Sequence, residues 1–457
     1  MRRVAAWLDD RLGVGSFLRA SFTEKRPPRG IGWLRTLGFA ALTILVLQVL
    51  SGIAIAFHYV PSTALAYDSI RAMEQDVPGG RFARALHYFG ASAFVVAVAL
   101  HLARVFFTGA YKAPRELTWL TGVGLFVVVL AFGFTGYLLP WDQKAYFATR
   151  VGTEIAGKAP LVGAHVRQIL NGGDEVGAPT LTRFYVIHVV LLPLALFALL
   201  GLHLFLIQRH GVSPPGGKVG DPVEPGDPYY PNHTAKEAAV GALVALVLFW
   251  LAATRSAPLE AVAEPSDTGY DPRPDWYFAG LFQLLKLFQG PLEVVGSFWL
   301  PNLLLAGLVL LPFLDRNPWR HWRQRPRMTA LGVAIAGAAV VLTWVGVRDV
   351  PHNEKQLTYP LGLTELEKEG YRLVRRLKCT ECHKAGDVGR TEYDAPDLDE
   401  IDQPPDVVAD ILADPAGTIG SEDMPDFAHV DEASRYAIGV YLRWLHEDSR
   451  KRKAERR

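Results

Sequence analysis

Two pairs of histidines lie inside long apolar stretches, His87 with His101 and His188 with His203, and a later run reads Cys379-Thr380-Glu381-Cys382-His383. Imidazole nitrogen is a strong ligand for iron. Two thiols separated by two residues and followed at once by histidine form the covalent attachment pattern of a heme, the thiols adding to its vinyl groups and the histidine binding the iron from below. His87 and His101 are fourteen residues apart, and His188 and His203 fifteen. At about 100° per residue, those spacings return a helical side chain to within about 40° and about 60° of its starting face, at depths about 21 Å apart. Each pair therefore points into one helical bundle at two levels.

The elements that hold them read as membrane helices. Seven apolar windows, each long enough to cross a hydrocarbon core of about 30 Å, fall near 34–57, 84–107, 117–139, 183–207, 237–254, 296–314 and 329–347. Stretches such as Leu331 to Val347 lack the polar face that a large soluble helical protein would present. The predicted fold class is all-α: a polytopic membrane protein with seven transmembrane helices, a four-helix bundle plus three, followed by a small helical domain.

Among 457 residues, 47 Lys and Arg stand against 46 Asp and Glu, and this balance gives no reason to expect a nucleic-acid partner. Charge is instead segregated. The first 35 residues carry Arg2, Arg3, Arg11, Arg19, Lys25, Arg26, Arg29 and Arg35, whereas between Gly386 and Glu432 Arg390 is the only basic side chain against fifteen acids. Cys379 and Cys382 are the only thiols, which excludes a disulfide framework and any iron–sulfur cluster held by cysteines of this chain alone.

No cleavable signal peptide is read in the basic first 30 residues, so the first span is expected to act as an uncleaved anchor. The basic connection Asp315 to Arg327 and the basic N-terminal segment belong on the cytoplasmic side. Seven spans then place the loops 140–182 and 255–295 and the residues after Val350 outside. The second and fourth spans run parallel, so His87 pairs with His188 near the outer surface and His101 with His203 near the inner one. Two bis-histidine b hemes stacked across the bilayer would form an electron wire. Gly38 and Gly52 on the first span, and Gly122 and Gly136 on the third, share the fourteen-residue period. Positions without a Cβ admit a porphyrin edge close to a helix backbone, although small residues also serve helix packing.

With these histidines and glycines stand three further segments: Thr135-Gly136-Tyr137-Leu138-Leu139-Pro140-Trp141-Asp142-Gln143, Leu181-Thr182-Arg183-Phe184-Tyr185, and Pro274-Asp275-Trp276-Tyr277. Over about residues 25–350 the chain resembles cytochrome b of the Rieske/cytochrome b (cytochrome bc) quinol-oxidising complexes. The wider spacing of His188 and His203 and the count of seven spans look like the photosynthetic, plastoquinol-oxidising branch with its two polypeptides joined. That branch carries an extra heme bonded to a cysteine on the first span; here Thr36 occupies the place, which excludes a covalent extra heme in the membrane part.

The resemblance implies that quinol is oxidised near the outer face, one electron passing to a partner Rieske iron–sulfur protein and the other to the outer b heme and on to the inner one, coupled to proton translocation. Asp275 is the candidate proton acceptor, since apolar surroundings favour the protonated form of a carboxyl group. The family more often has Glu there, and Pro274-Asp275 could instead cap the helix that Trp276 begins. Tyr137 and Tyr277 are candidate hydrogen-bond neighbours. Ala148 stands where the mitochondrial type usually has glycine, in the outer quinol pocket, and its methyl predicts insensitivity to strobilurin-like inhibitors. Arg209, His210, Lys236 and Glu237, at the inner ends of the fourth and fifth spans, are candidates for an inner quinone site, although basic residues are expected at that boundary in any case.

The C-terminal part resembles class I cytochromes c over about 363–447, with Cys379 and Cys382 as heme c attachment points, His383 on the iron and Met424 as sixth ligand. His429 is the alternative ligand. A helix from Leu363 to Leu377 and another from Glu432 to Leu445 are expected to pack beside the heme, and the tail Arg450-Lys451-Arg452-Lys453 to be disordered, touching anionic lipid.

The expected organisation is thus 1–215 with four spans and the b hemes, 216–350 with three spans and the quinol-oxidation motif, and 351–457 as an outer monoheme cytochrome c domain. The reading is a cytochrome b/c fusion subunit of a quinol:cytochrome c oxidoreductase in a bacterial inner membrane, with two b hemes, one heme c, a quinol substrate, a Rieske partner and a downstream soluble cytochrome or oxidase. Family resemblance implies a homodimeric complex. The alternatives are a non-catalytic diheme b/c membrane anchor relaying electrons between the quinone pool and another redox enzyme, and a photosynthetic plastoquinol complex.

Overall fold

A computed structural model describes residues 24–265, 267, 270, 272–348, 363–385, 388–389 and 395–455, together with 7, 9–11, 13 and 15. Arg2, Arg3, Arg19 and Arg390 lie outside the described residues.

Among the described residues seven helices are long and apolar enough to cross a membrane: Trp33–Ala56, Gly80–Phe107, Glu116–Tyr137, Ala178–His210, Tyr229–Thr254, Gly290–Leu314 and Pro326–Arg348. Their outward faces carry bare hydrocarbon. Leu194, Leu246 and Val340 are 65%, 66% and 68% exposed, a surface suited to lipid rather than water. Inside, Ile44 of the first span, Ala85, Leu86 and Ala97 of the second, and Leu248 and Ala252 of the fifth form one buried cluster. Trp119 and Val123 of the third span pack with Tyr111, from the connection before that span, and with Leu311 of the sixth in another.

The fourth span is not a regular helix. Its π-turn, Ile187–Leu191, contains His188 and ends just before Pro193. Proline has no N–H to donate to the carbonyl four residues back, so the helix widens there by one residue. The extra residue absorbed in that turn accounts for a histidine spacing of fifteen here against fourteen on the second span.

Beyond the spans, a charged knot ties the connection after the second helix to the connection before the seventh. Asp315 accepts from Lys112 at 2.7 Å and from Arg325 at 3.0 Å, and Tyr111 donates to it at 2.5 Å. All four side chains are buried, and a buried charge holds its place only when paired and hydrogen-bonded in this way.

The chain divides into two compact units: residues 1–140, 148–258 and 274–349, and residues 141–147, 259–273 and 350–457. In the second unit, helix Glu365–Arg376 crosses helix Glu432–Glu455. A β-carbon on Gly370 would lie 2.0 Å from the Ala437 carbonyl, so the crossing is backbone to backbone. Tyr371 meets Tyr441 edge to face at 5.6 Å, and Tyr441 stacks on Trp444. Thr364 and Glu367 close a reciprocal cap at the start of the first of these helices. The only strands among the described residues, Lys384–Ala385 and Val388–Gly389, make a two-residue antiparallel hairpin after the Cys-x-x-Cys-His run, and the class remains all-α. The basic tail departs from expectation: Arg450 to Lys453 continue the last helix, which runs to Glu455. Lys and Arg are good helix formers on an established helix, and Lys453 reaches Glu400 at 3.6 Å.

Candidate functional site

The four histidines meet four glycines, one to one. A β-carbon built on Gly38 would lie 3.1 Å from Cε1 of His101; on Gly52, 3.2 Å from Cε1 of His87; on Gly122, 3.3 Å from Cε1 of His203; and on Gly136, 2.6 Å from Cε1 of His188. The first span thus offers bare backbone to both rings of the second, and the third span to both rings of the fourth. In the structure the space left by each glycine faces the edge of an imidazole.

Three of the rings are also held by a hydroxyl on the residue just before the glycine. Ser51 Oγ lies 3.1 Å from Nδ1 of His87, Thr121 Oγ1 2.9 Å from Nδ1 of His203, and Thr135 Oγ1 3.1 Å from Nδ1 of His188. Each hydroxyl donates to a carbonyl one turn back in its own helix, at Leu47, Leu117 and Ala131. Its oxygen is then the acceptor and Nδ1 the donor, which leaves Nε2 as a free lone pair. The sequence reading missed these hydroxyls, although a Ser or Thr before a glycine at the fourteen-residue period was there to be seen.

His87 and His188 face one another with ring centres 6.3 Å apart and planes 70° to each other. Two imidazole nitrogens about 2 Å from a shared metal put ring centres about 6 Å apart, so the pair fits an iron between them. Among the described residues no cluster of three or more His, Cys, Asp or Glu could hold a metal by itself. A pair of buried histidines suits a metal whose remaining ligands come from a macrocycle.

The Pro274 to Tyr277 motif opens the helix Trp276–Lys286. Asp275 occupies the N-cap position, yet its side chain makes no cap bond. Instead it accepts from the Tyr277 hydroxyl at 3.4 Å, which favours the chemical reading over the capping one. Asp275 is buried, 8% exposed. Burial first, and then the charge of Asp275, push the Tyr277 phenol above its ordinary range. The Tyr277 ring fills the notch at Gly133, where a β-carbon would lie 3.0 Å from it. Trp276 donates its indole N–H to Ser92 on the second span at 3.1 Å. Tyr137 is half-buried at the end of the third span, and Ala148 is buried on helix Gln143–Gly157. In the second unit, Trp141 takes a left-handed backbone (φ 54°). It is held there by the Ala263 amide on its carbonyl and by Asp142, which accepts from Ala145 and Glu260.

At the other end of the fourth and fifth spans, Glu237 accepts from Tyr229 at 2.6 Å and stands 3.5 Å from His233. Lys236 is half-buried, Arg209 is exposed, and the His210 carbonyl accepts from Arg115. The structure gathers Glu237 with two residues the sequence reading passed over, Tyr229 and His233. They lie beyond the apolar window, in an irregular turn where helical periodicity carries no signal.

In the second unit, Cys379 to Glu381 form a short helical turn, and His383 donates Nδ1–H to the Pro396 carbonyl at 2.8 Å. That bond again leaves Nε2 free. Met424 is half-buried, its amide bonded to Ser421, whereas His429 is exposed.

Comparison with known proteins agrees with this geometry. Residues 22–211 match the family model described as cytochrome b/b6/petB, and residues 262–359 match cytochrome b(C-terminal)/b6/petD. The menaquinol:cytochrome c reductase cytochrome b subunit of Bacillus subtilis (strain 168) is 42% identical over 223 residues, 47% of this chain and 99% of that protein. The cytochrome bc complex cytochrome b subunit of Chlorobaculum thiosulfatiphilum is 34% identical over 356 residues, 75% of this chain and 80% of that one. A solved structure described as hyperthermophilic respiratory Complex III superposes with a TM-score of 0.68 at 31% identity, covering 76% of this chain and 91% of the other. With its helices, histidines and glycines in that arrangement, the chain belongs to the cytochrome b family and is the heme b-binding, membrane-spanning cytochrome b subunit of a cytochrome bc complex.

Proposed function

We propose that the chain is the quinol-oxidising subunit of a quinol:cytochrome c oxidoreductase that carries its electron-accepting cytochrome c at its own C-terminus. The observation that supports this best is the pairing of buried Asp275 with Tyr277 in a protein that also builds two histidine pairs. A relay would need the histidines but not the carboxyl group. When bound, each heme supplies a one-electron iron couple. His87 with His188 and His101 with His203 would hold two b hemes; Cys379 and Cys382 would bond heme c, with His383 and Met424 on its iron.

The residues divide the work. Asp275 accepts a proton from quinol in a water-poor pocket, while Tyr277 positions the carboxylate and Ala148 limits the pocket. Of the two electrons, one goes to a Rieske partner and on to the c domain, and the other inward between the two histidine levels. Both quinol protons leave towards the outer side, one of them by way of Asp275. A fused acceptor replaces diffusional encounter by a high effective concentration, and a soluble cytochrome or oxidase takes the electron onward. Glu237 with Tyr229 and His233 would serve quinone reduction on the inner side. In this reading the complex is a homodimer in a bacterial inner membrane, with the N-terminus cytoplasmic and the C-terminal domain periplasmic. The name of the Bacillus subtilis relative makes menaquinol the first substrate to assay.

The test is quinol-dependent reduction of a soluble cytochrome c by the purified complex, with its subunits identified. Turnover with a co-purifying Rieske protein is the expected result. A complex that holds its hemes yet neither oxidises quinol nor contains a Rieske protein would support the membrane-anchor alternative instead.

A further inference from the structure

The inner histidine pair is built unlike the outer one. Three glycines are preceded by a hydroxyl, in Ser51-Gly52, Thr121-Gly122 and Thr135-Gly136, and each hydroxyl bonds the Nδ1 of the histidine its glycine faces. The fourth reads Leu37-Gly38. His101, the ring opposite Gly38, has a buried Nδ1 with no hydrogen-bond partner among the described residues.

The backbone repeats the difference. His87, His188 and His203 also interact with the carbonyls of Gln48, Phe132 and Thr118, each four residues before the corresponding glycine. For His101 the equivalent residue is Leu34, which lies in the 3-10 turn Trp33–Thr36 that opens the first span. The nearby hydroxyl, Thr36, donates to the Trp33 carbonyl at 2.7 Å. Arg104, one turn beyond His101, adds a positive charge beside the ring.

An acceptor on the far nitrogen makes a ligating imidazole more electron-rich, which favours the oxidised metal; without one, the reduced metal gains. We propose that Leu37 is a tuning residue. By withholding an acceptor from His101, it sets the reduction potential of the inner heme higher than a hydroxyl at that position would. This rests on the bis-histidine reading of the site and extends it to the ligand's outer contact. With both hemes bound, passage of one electron from the level of His87 and His188 to the level of His101 and His203 would be favoured by the same amount.

The experiment is a potentiometric titration of both b hemes in the intact purified complex carrying Leu37→Thr, with Leu37→Val as a control of equal shape and no hydroxyl. Leu37→Thr is expected to lower the inner midpoint by about tenfold in the reduction equilibrium, which is about 59 mV for one electron, leaving the outer midpoint in place. Leu37→Val is expected to move neither. Thr121→Val, which strips the acceptor from the opposite ligand His203, is expected to raise the inner midpoint, and it tests the same lever if Leu37→Thr does not assemble. Equal shifts from Leu37→Thr and Leu37→Val, or an inner midpoint that none of the three moves, would overturn the proposal. A wild-type complex without two b hemes would instead refute the bis-histidine reading.

Discussion

Gly136 and His188 stand closer than any other glycine and histidine of the bundle: a β-carbon on Gly136 would lie 2.6 Å from Cε1 of the ring. Real β-carbons do not approach so near, and the ring cannot retreat freely, because Phe132 meets it edge-on at 5.2 Å and Thr135 holds its Nδ1. The other three glycines leave 3.1 to 3.3 Å, which a shift of a few tenths of an ångström can relieve. Gly136→Ala is therefore expected to lose the outer b heme, halving the b heme content measured as pyridine hemochrome, while Gly52→Ala and Gly122→Ala keep both. Full heme content in Gly136→Ala would mean that the ring is not confined by the third span.

Asp275 carries the proposed proton transfer. Asp275→Asn keeps the shape and removes the base, so quinol turnover is expected to fall by about 10²–10⁴-fold with both b hemes retained. Tyr277, its phenol pushed up by burial and by the Asp275 charge, stays protonated across the working pH range and goes on donating. Tyr277→Phe is thus expected to slow turnover by less than Asp275→Asn, since it removes only the hydroxyl that positions the carboxylate. Turnover in Tyr277→Phe as low as in Asp275→Asn would make the phenol as necessary as the base.

Ala148 is buried on the helix Gln143–Gly157. Its methyl narrows the proposed outer pocket, so the wild-type complex is expected to resist a strobilurin-like inhibitor, and Ala148→Gly to become sensitive. Full inhibition of the wild type would show that the pocket has room to spare.

The buried knot at Asp315 gives a stability prediction. Burial pushes this carboxyl up, but bonds from Lys112 and Tyr111, the Lys112 charge and the Arg325 bond outweigh it and hold the group below the ordinary carboxylate range. A folded value below the unfolded one means that the contribution is fully present above an unfolded value of about 3.9 and is lost as pH falls through the folded value. Asp315→Asn leaves Lys112 and Arg325 buried without their counter-charge and is expected to cost about 3–5 kcal/mol at neutral pH. In thermal unfolding of the solubilised protein, the gap between wild type and variant should shrink as pH drops below 4. A gap that does not change with pH would rule out the charge as its source.

How much of this the sequence carries depends on the range of the force involved. Lipid acts on every residue of a span, so all seven helices were legible, although the fifth begins eight residues before its apolar window and the sixth six residues before. Helical periodicity fixes depth, so the four histidines and four glycines were placed at matching levels. Which glycine faces which ring is a matter between helices, and neither that pairing nor the hydroxyls of Ser51, Thr121 and Thr135 follow from period alone. The π-turn at His188 was visible only as one surplus residue, and Pro193 shows its cause. Tyr229 and His233 sit in an irregular turn with no period to read. The basic tail was judged by its own composition, whereas it continues the helix begun at Glu432, which the packing of Tyr441 against Tyr371 has already established.

The central claim is two bis-histidine b hemes and one covalent heme c on a single chain. A redox-titrated visible spectrum of the purified protein, taken beside a pyridine hemochrome assay, tests it most directly. The account predicts two b hemes of separate midpoint for each covalent c heme. Fewer than two b hemes would break the pairing of His87 with His188 and of His101 with His203, and would leave a membrane-tethered cytochrome c in its place.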